Sequence, residues 1–484
     1  MQNEVQLIAY ADRLGGSLPG LGRLLDGPLA GLFGGVHVLP FYLPFDGADA
    51  GFDPDDHLAV DPRLGSWDDL AALARGRDLV ADVIVNHVSD RSSPFRDLVE
   101  HGDASPSAGM FLTYDRVFPD GATEADLLEI VRPRPGLPFT PAVLGDRPRL
   151  LWTTFTPHQI DLDVHHPTAR AYLSRVLRRL AECGVAVVRL DAVGYTVKTA
   201  GTSCFLTAET FAFVDELAAE AHGLGLDVLA EVHAHHRFAT QAAAHVDRVY
   251  DFALAPLILH SVFTGDGDPL RRWLVSRPGN AVTVLDTHDG IGMVDGLGLL
   301  SSAQIAAVVE TIGRRSGGTS VVSRVRDGYY QVSCTAYDAV GGDDADYLLA
   351  RLLQLFTPGV PQVYYVGLLA GHNAPYTGDA REMNRRRYTD DEVERALQQP
   401  VVRTFQELIR LRSTHPAFGG EFTLPDAPDG ELVMAWRHGD ATAELRVVLA
   451  RAGGRASWQA SFSGEGGVAR TFTEADVVRG APTR

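Results

Sequence analysis

Eight short β-rich runs recur along the chain, and helix-like stretches separate most of them. The runs are "VQLIAY", "GVHVLP", "LVADVIVNH", "VAVVRLD", "DVLAEVH", "RVYDF", "AVTVLD" and "QVYYV". Between them, stretches such as "PTARAYLSRVLRRLAECG" and "TAETFAFVDELAAEAHGLG" carry apolar residues at helical spacing and close on glycine. Strand and helix alternating eight times predict an α/β fold, the (β/α)8 TIM barrel, whose site lies where the strands end. The 484 residues exceed what a barrel alone needs. The intervals from His87 to Val185 and from Asp286 to Gln362 are too long for one helix, and a structureless loop of that length does not suit a compact domain. They are read as subdomains inserted on the catalytic face, 85–164 after the third strand and 291–341 after the seventh. The barrel is then formed by 1–84, 165–290 and 342–421. Residues 422–484, with alternating runs such as "ELVMAWRH" and "ELRVVLA", predict a small C-terminal β domain of sandwich type.

The fourth run poses the chemical question. In "GVAVVRLDAVGY" the period of two puts Val185, Val187, Arg189 and Asp191 on one face of a strand and Ala186, Val188 and Leu190 on the other. An apolar outer face with a charged inner tip suits a barrel strand that opens into a site. A structural ion pair closing the strand is the alternative for this stretch taken alone. Further along, Glu231 ends the fifth run and Asp289 follows the seventh, so three carboxylates converge at one mouth. Buried like charges repel, and such a cluster is retained where chemistry or cations require it. Paired carboxylates, one a nucleophile and one a general acid, are what retaining cleavage of a glycosidic bond needs.

Composition removes other classes. With 43 basic and 62 acidic residues the net charge is −19, which argues against nucleic acid or an anionic membrane as partner. No segment approaches a membrane span or a signal peptide. Cys183, Cys204 and Cys334 lack metal-ligand spacing and fit reduced, buried thiols, so a cytoplasmic location is expected. No GxGxxG follows a strand and no cluster of oxygen ligands demands calcium, so neither cofactor nor metal is expected.

The phrases "DVIVNH", "VVRLDAVGY", "LAEVH" and "LDTHDG" resemble the strand-end motifs of the α-amylase superfamily of retaining enzymes. "VQLIAYADRLG", "LPFYLPFDGADAGFDPDDH", "RPRPGLPFT", "DAVGYTVKTAGTSCF" and "PGVPQVYYVGLLAG" are similar, more narrowly, to the sucrose phosphorylase family, and the likeness spans roughly Val5 to Tyr388. That resemblance implies glucosyl transfer from sucrose to inorganic phosphate, giving α-glucose 1-phosphate and fructose. Asp191 would be the nucleophile, with Arg189 holding it ionised and oriented. Glu231 would be the general acid and base, and Asp289 would bind the sugar hydroxyls and favour the transition state. His87 and His288 would be neutral donors to glucose, Asp49 and Arg385 would clamp its far side, and Phe52 and Tyr195 would wall the ring. Gln159 is placed among the substrate-binding residues. Arg134 and the loop residues Asp327, Tyr330 and Gln331 would serve fructose and phosphate in turn. A homodimer is implied by the family alone.

Two departures fall on the acceptor side. Val131 stands where the family usually has tyrosine, and "RVRDGYYQ" is one residue longer than the family's loop, with Arg324 and Arg326 added. Sister phosphorylases that use sucrose 6′-phosphate, glucosylglycerol or glucosylglycerate are therefore the nearest rivals. An α-glucoside hydrolase and a non-catalytic sugar-binding barrel are the more distant ones.

Overall fold

The computed structural model describes residues 1–47, 49–325, 328–450, 454–464 and 469–479, with side chains to 476 at its end. All eight runs are strands: β1 (Gln6–Ala9), β2 (Gly35–Val38), β3 (Asp78–Ile84), β4 (Val187–Asp191), β5 (Asp227–Ala230), β6 (Arg248–Asp251), β7 (Ala281–Thr283) and β8 (Val360–Tyr364). Each pairs in parallel with its sequence neighbours and β8 closes on β1, which makes the expected barrel. Register puts Arg189 of β4 beside Asp82 of β3 and Leu229 of β5. That pairing levels the ends of β3, β4 and β5, so the residues just beyond them share one rim.

The helices begin where local chemistry allows. Helix Pro167–Glu182 opens with proline, whose missing N–H is no loss in a first turn, and His166 accepts from the Thr168 amide. It buries Tyr172, Leu173, Val176, Leu177 and Leu180 against the barrel. Helix Ala208–Gly223 is capped by the Thr207 hydroxyl.

After β3 the chain folds back on itself. Strand His87–Ser89 pairs antiparallel with Gln159–Asp161, and hairpin Phe139–Leu144/Arg147–Trp152 packs Trp152 with Leu112, Val117, Phe118 and Cys204 in a small separate core. After β7, Ile291–Gly292, Val321–Val325 and Gly328–Ser333 form a three-stranded antiparallel sheet beside helix Ser302–Arg315.

The tail differs from the expected sandwich. Its strands β9 (Glu421–Thr423), β10 (Glu431–His438), β11 (Ala441–Val448), β12 (Ser457–Ser463) and β13 (Arg470–Thr473) form one antiparallel meander. No second sheet is needed because helix Asp344–Phe356 covers the apolar face. Trp436 donates to the Phe356 carbonyl at 2.8 Å and Trp458 to that of Ala345 at 3.3 Å. The three cysteines are buried and unpaired.

Candidate active site

A cavity of about 400 Å³ opens at the C-terminal ends of the strands. Its floor is set by Arg189, which is only 2 % exposed. One guanidinium nitrogen meets Asp82 and, at 3.0 Å, Asp191; the other meets Glu231 at 2.5 Å. Arginine suits this place because its planar fork serves several acceptors at once. Immediately after Asp191, Ala192 takes the left-handed backbone at φ 53°, and its amide donates to Glu231 at 3.3 Å. The turn that ends β4 therefore also fixes the carboxyl that follows β5.

Burial and the neighbouring Glu231 push Asp191 well above the usual carboxylate range, with Arg189 opposing. Arg189 therefore fixes the position of Asp191 without by itself keeping it ionised. The proton that burial favours on Asp191 thus has the Glu231 carboxyl as its neighbour. Asp289 is different. Burial would raise it, but His288, Arg385, Arg381 and His233 together hold it below that range. Burial itself keeps His288 neutral, so the permanent charges of Arg385 and Arg381 carry most of that effect. His87 is likewise kept neutral by burial.

Asp49, Phe52, His87, Tyr195, His288, Arg134, Tyr330 and Gln331 line the cavity together with the three carboxylates. Phe52 stacks on His288 with ring centres 4.8 Å apart, and Tyr195 meets Phe155 edge-on at 5.2 Å. Gln159 sits one layer back, donating to Asp49 at 3.2 Å. Asp327 lies outside the described residues. Arg385 does not clamp the far side with Asp49. It is buried behind Asp289, donating to the His288 carbonyl at 2.8 Å and to Asp289 at 3.3 Å. The arginine that pairs with Asp49 is Arg381, braced by Asp379 at 2.9 Å.

Sequence reasoning also missed Asp82 and His233. Asp82 carried a signal, a lone acid inside the apolar run "LVADVIV", and its partners are Arg189 and, at 3.0 Å, His37. His233 lies two residues past Glu231, stacked on Phe252 at 3.8 Å with its Nδ1 on Asp295 at 3.4 Å. Glu231, His233 and Asp289 bring donor atoms within 4.8 Å of one another. A cation among them would face the Arg189 guanidinium that already holds Glu231.

Residues 31–254 match the alpha amylase catalytic domain. The chain is 52% identical over 481 residues to the sucrose phosphorylase of Agrobacterium vitis, covering 95% of this chain and 98% of that one. It is 45% identical over 464 residues to the sucrose phosphorylase of Bifidobacterium adolescentis, covering 92% of each. The chain belongs to the sucrose phosphorylase family. The crystal structure of the sucrose 6F-phosphate phosphorylase from Thermoanaerobacter thermosaccharolyticum superposes with a TM-score of 0.92 at 35% identity over 98% of both chains. A glucosylglycerol phosphorylase of Marinobacter adhaerens is 39% identical over 463 residues, covering 93% of this chain and 95% of that one. Relatives that share the sucrose phosphorylase framework thus carry names that differ in the second substrate.

The two stretches read above as departures from the family pattern lie at or near this cavity. Val131 is exposed, and its amide donates to the Ser203 carbonyl at 2.9 Å. Arg134 reaches the cavity between Pro133 and Pro135. Arg324 also lines the cavity and lies over the Tyr329 ring at 4.1 Å. The added Arg326 lies outside the described residues.

Proposed function

We propose that the chain transfers glucose from sucrose to inorganic phosphate with retention, yielding α-glucose 1-phosphate and fructose. The observation that carries this reading is the Arg189 cluster, which sets Asp191 and Glu231 side by side under Asp289 in one cavity. Asp191 attacks the anomeric carbon while Glu231 gives its proton to the departing fructosyl oxygen. The proton that burial favours on Asp191 moves to Glu231 as Asp191 becomes the nucleophile. Glucose is then held as an ester of Asp191, and Glu231 is a carboxylate. Phosphate enters, loses a proton to Glu231 and displaces Asp191; two inversions give the α product. Asp289, ionised throughout, binds sugar hydroxyls more tightly as positive charge develops on the ring. Phe52 and Tyr195 wall the glucose, and His87, His288, Asp49 and Arg381 fix its hydroxyls.

Arg134 supplies the charge that phosphate needs, and Tyr330 and Gln331 shape the acceptor side. Arg324 at the same mouth supports a second reading, acceptance of a fructose that itself carries a phosphate. A cytoplasmic location is in keeping with three unpaired thiols. Among the described residues no helix is long and apolar enough to cross a membrane. A homodimer rests on family analogy.

Product analysis by NMR after incubation with sucrose and phosphate tests the reading. α-Glucose 1-phosphate and fructose in equal amounts are expected, and a fluorinated glucosyl donor should label Asp191. A β product, free glucose alone, or a label on another residue overturns it.

A further inference from the structure

The chain's 43 basic residues include a single lysine, Lys198; every other one is arginine. This lysine is not on the surface. Its side chain is 1 % exposed, its ammonium pairs with Asp161, and it donates to the Asn86 carbonyl oxygen at 2.7 Å. A chain that uses arginine everywhere else has kept a point charge here, where a planar guanidinium would have to fit between two fully buried acceptors.

The contact does not stop at Asn86. With its oxygen held by Lys198, the Asn86 amide can present only its NH2 group to His87, whose Nδ1 lies 3.3 Å away. On the other side of the ring, His87 Nε2 lies 2.9 Å from the Phe52 carbonyl, which can only accept. One neutral form of His87 satisfies both neighbours: Nδ1 bare and accepting, Nε2 protonated and donating. In the other form, two N–H groups would face each other at Asn86 and Phe52 would lose its donor. Gln159 Nε2, 3.1 Å from His87 Nε2, gives one hydrogen to Asp49 while the Thr156 hydroxyl holds its oxygen at 2.9 Å; its second hydrogen favours a bare Nε2, so Asn86 and Phe52 together set the tautomer against this one contact.

We infer that Lys198 is a positioning residue that sets the tautomer and orientation of His87 through the Asn86 amide. His87 then holds a fixed Nε2–H on the Phe52 carbonyl, at the edge where the ring lines the cavity and where a glucose hydroxyl can share that proton. The role rests on the reading above of His87 as a donor to glucose; the tautomer itself does not.

Asn86→Asp isolates the relay. A carboxylate there still accepts from Lys198, so the ion-pair cluster stays, but it cannot donate to His87 and instead draws the proton to Nδ1. With 15N-labelled histidine, and the His87 signals assigned by their loss in His87→Gln, imidazole nitrogen shifts read the tautomer directly. The parent should show Nε2–H and Asn86→Asp should show Nδ1–H. kcat/KM for sucrose should fall at least about tenfold in that variant at unchanged thermal stability, since a wrong tautomer leaves geometry intact but misdirects the proton. Lys198→Met should give a mixture of tautomers and Lys198→Arg should not restore the parent; if these fail to fold, Asn86→Asp carries the test. A parent with Nδ1–H, an Asn86→Asp that keeps Nε2–H, or one that switches at parental kcat/KM overturns the inference. The tautomer is read without substrate, so a parent that fails to phosphorolyse sucrose refutes the proposed function and leaves this result intact.

Discussion

Replacing Arg189 by methionine removes the one guanidinium among the described residues that touches Asp82, Asp191 and Glu231. Truncating one partner of a buried charge cluster leaves the others uncompensated, and such losses cost about 3–5 kcal/mol. The parent shows how much of this passes through Asp82. Burial would raise its carboxyl, but Arg189 and His37 outweigh burial and hold it at about 2 against an ordinary 3.8. That difference contributes roughly 2 kcal/mol, fully present above about pH 4 and lost as pH falls through about 2. In the methionine variant the sign reverses. Burial now raises Asp82 above its unfolded value, so the folded variant holds the proton longer and loses stability as pH climbs from about 4. Urea unfolding of parent and variant at pH 4.5 and 7.5 reads this directly. The gap should be about 3–5 kcal/mol at the higher pH and clearly smaller at the lower. A gap under about 1 kcal/mol, or one that does not change with pH, would refute the reasoning, because Arg189 would then not be the charge that keeps Asp82 ionised. Arg189→Lys should recover part of the loss, since one ammonium cannot reach all three acids.

Glu231→Gln should slow transfer from sucrose by about 10²–10⁴-fold and from glucosyl fluoride far less, because only a basic leaving oxygen needs the proton; equal losses for both donors would remove Glu231 from the acid role. Arg134→Ala should raise KM for phosphate well beyond its effect on KM for sucrose, with lysine there restoring only part, and kinetics at varied phosphate decide it. Arg381→Ala should raise KM for sucrose roughly tenfold while leaving KM for phosphate near the parent value, if its partner Asp49 holds glucose as proposed. Arg324→Ala should lower the reverse rate with fructose 6-phosphate relative to fructose; an unchanged ratio would leave Arg324 as no more than a cover for Tyr329.

The barrel was legible in the sequence because each strand is an apolar run of fixed period and each helix between has its own period and stop. The three carboxylates were legible for the same reason: each stands where a run ends, and in a parallel barrel all run ends share one rim. Residues placed by loops were not. Asp49 and Arg381 are 332 positions apart and meet only through the return of the chain after β8, which no local pattern encodes. Among four nearby arginines, composition offered no reason to prefer Arg381 to Arg385. The tail shows a related limit. Alternation in "ELVMAWRH" established that one face is buried, but not that a helix rather than a second sheet buries it.

The placement of Lys198 also has a practical side. Reagents that acylate amines, and supports that capture proteins through them, act on ε-amino groups at the surface, and this sequence offers none there. Such a reagent should reach Lys198 only when the packing around Asn86 and Asp161 opens, so acylation of lysine would report the unfolding of this buried cluster and not the state of the surface.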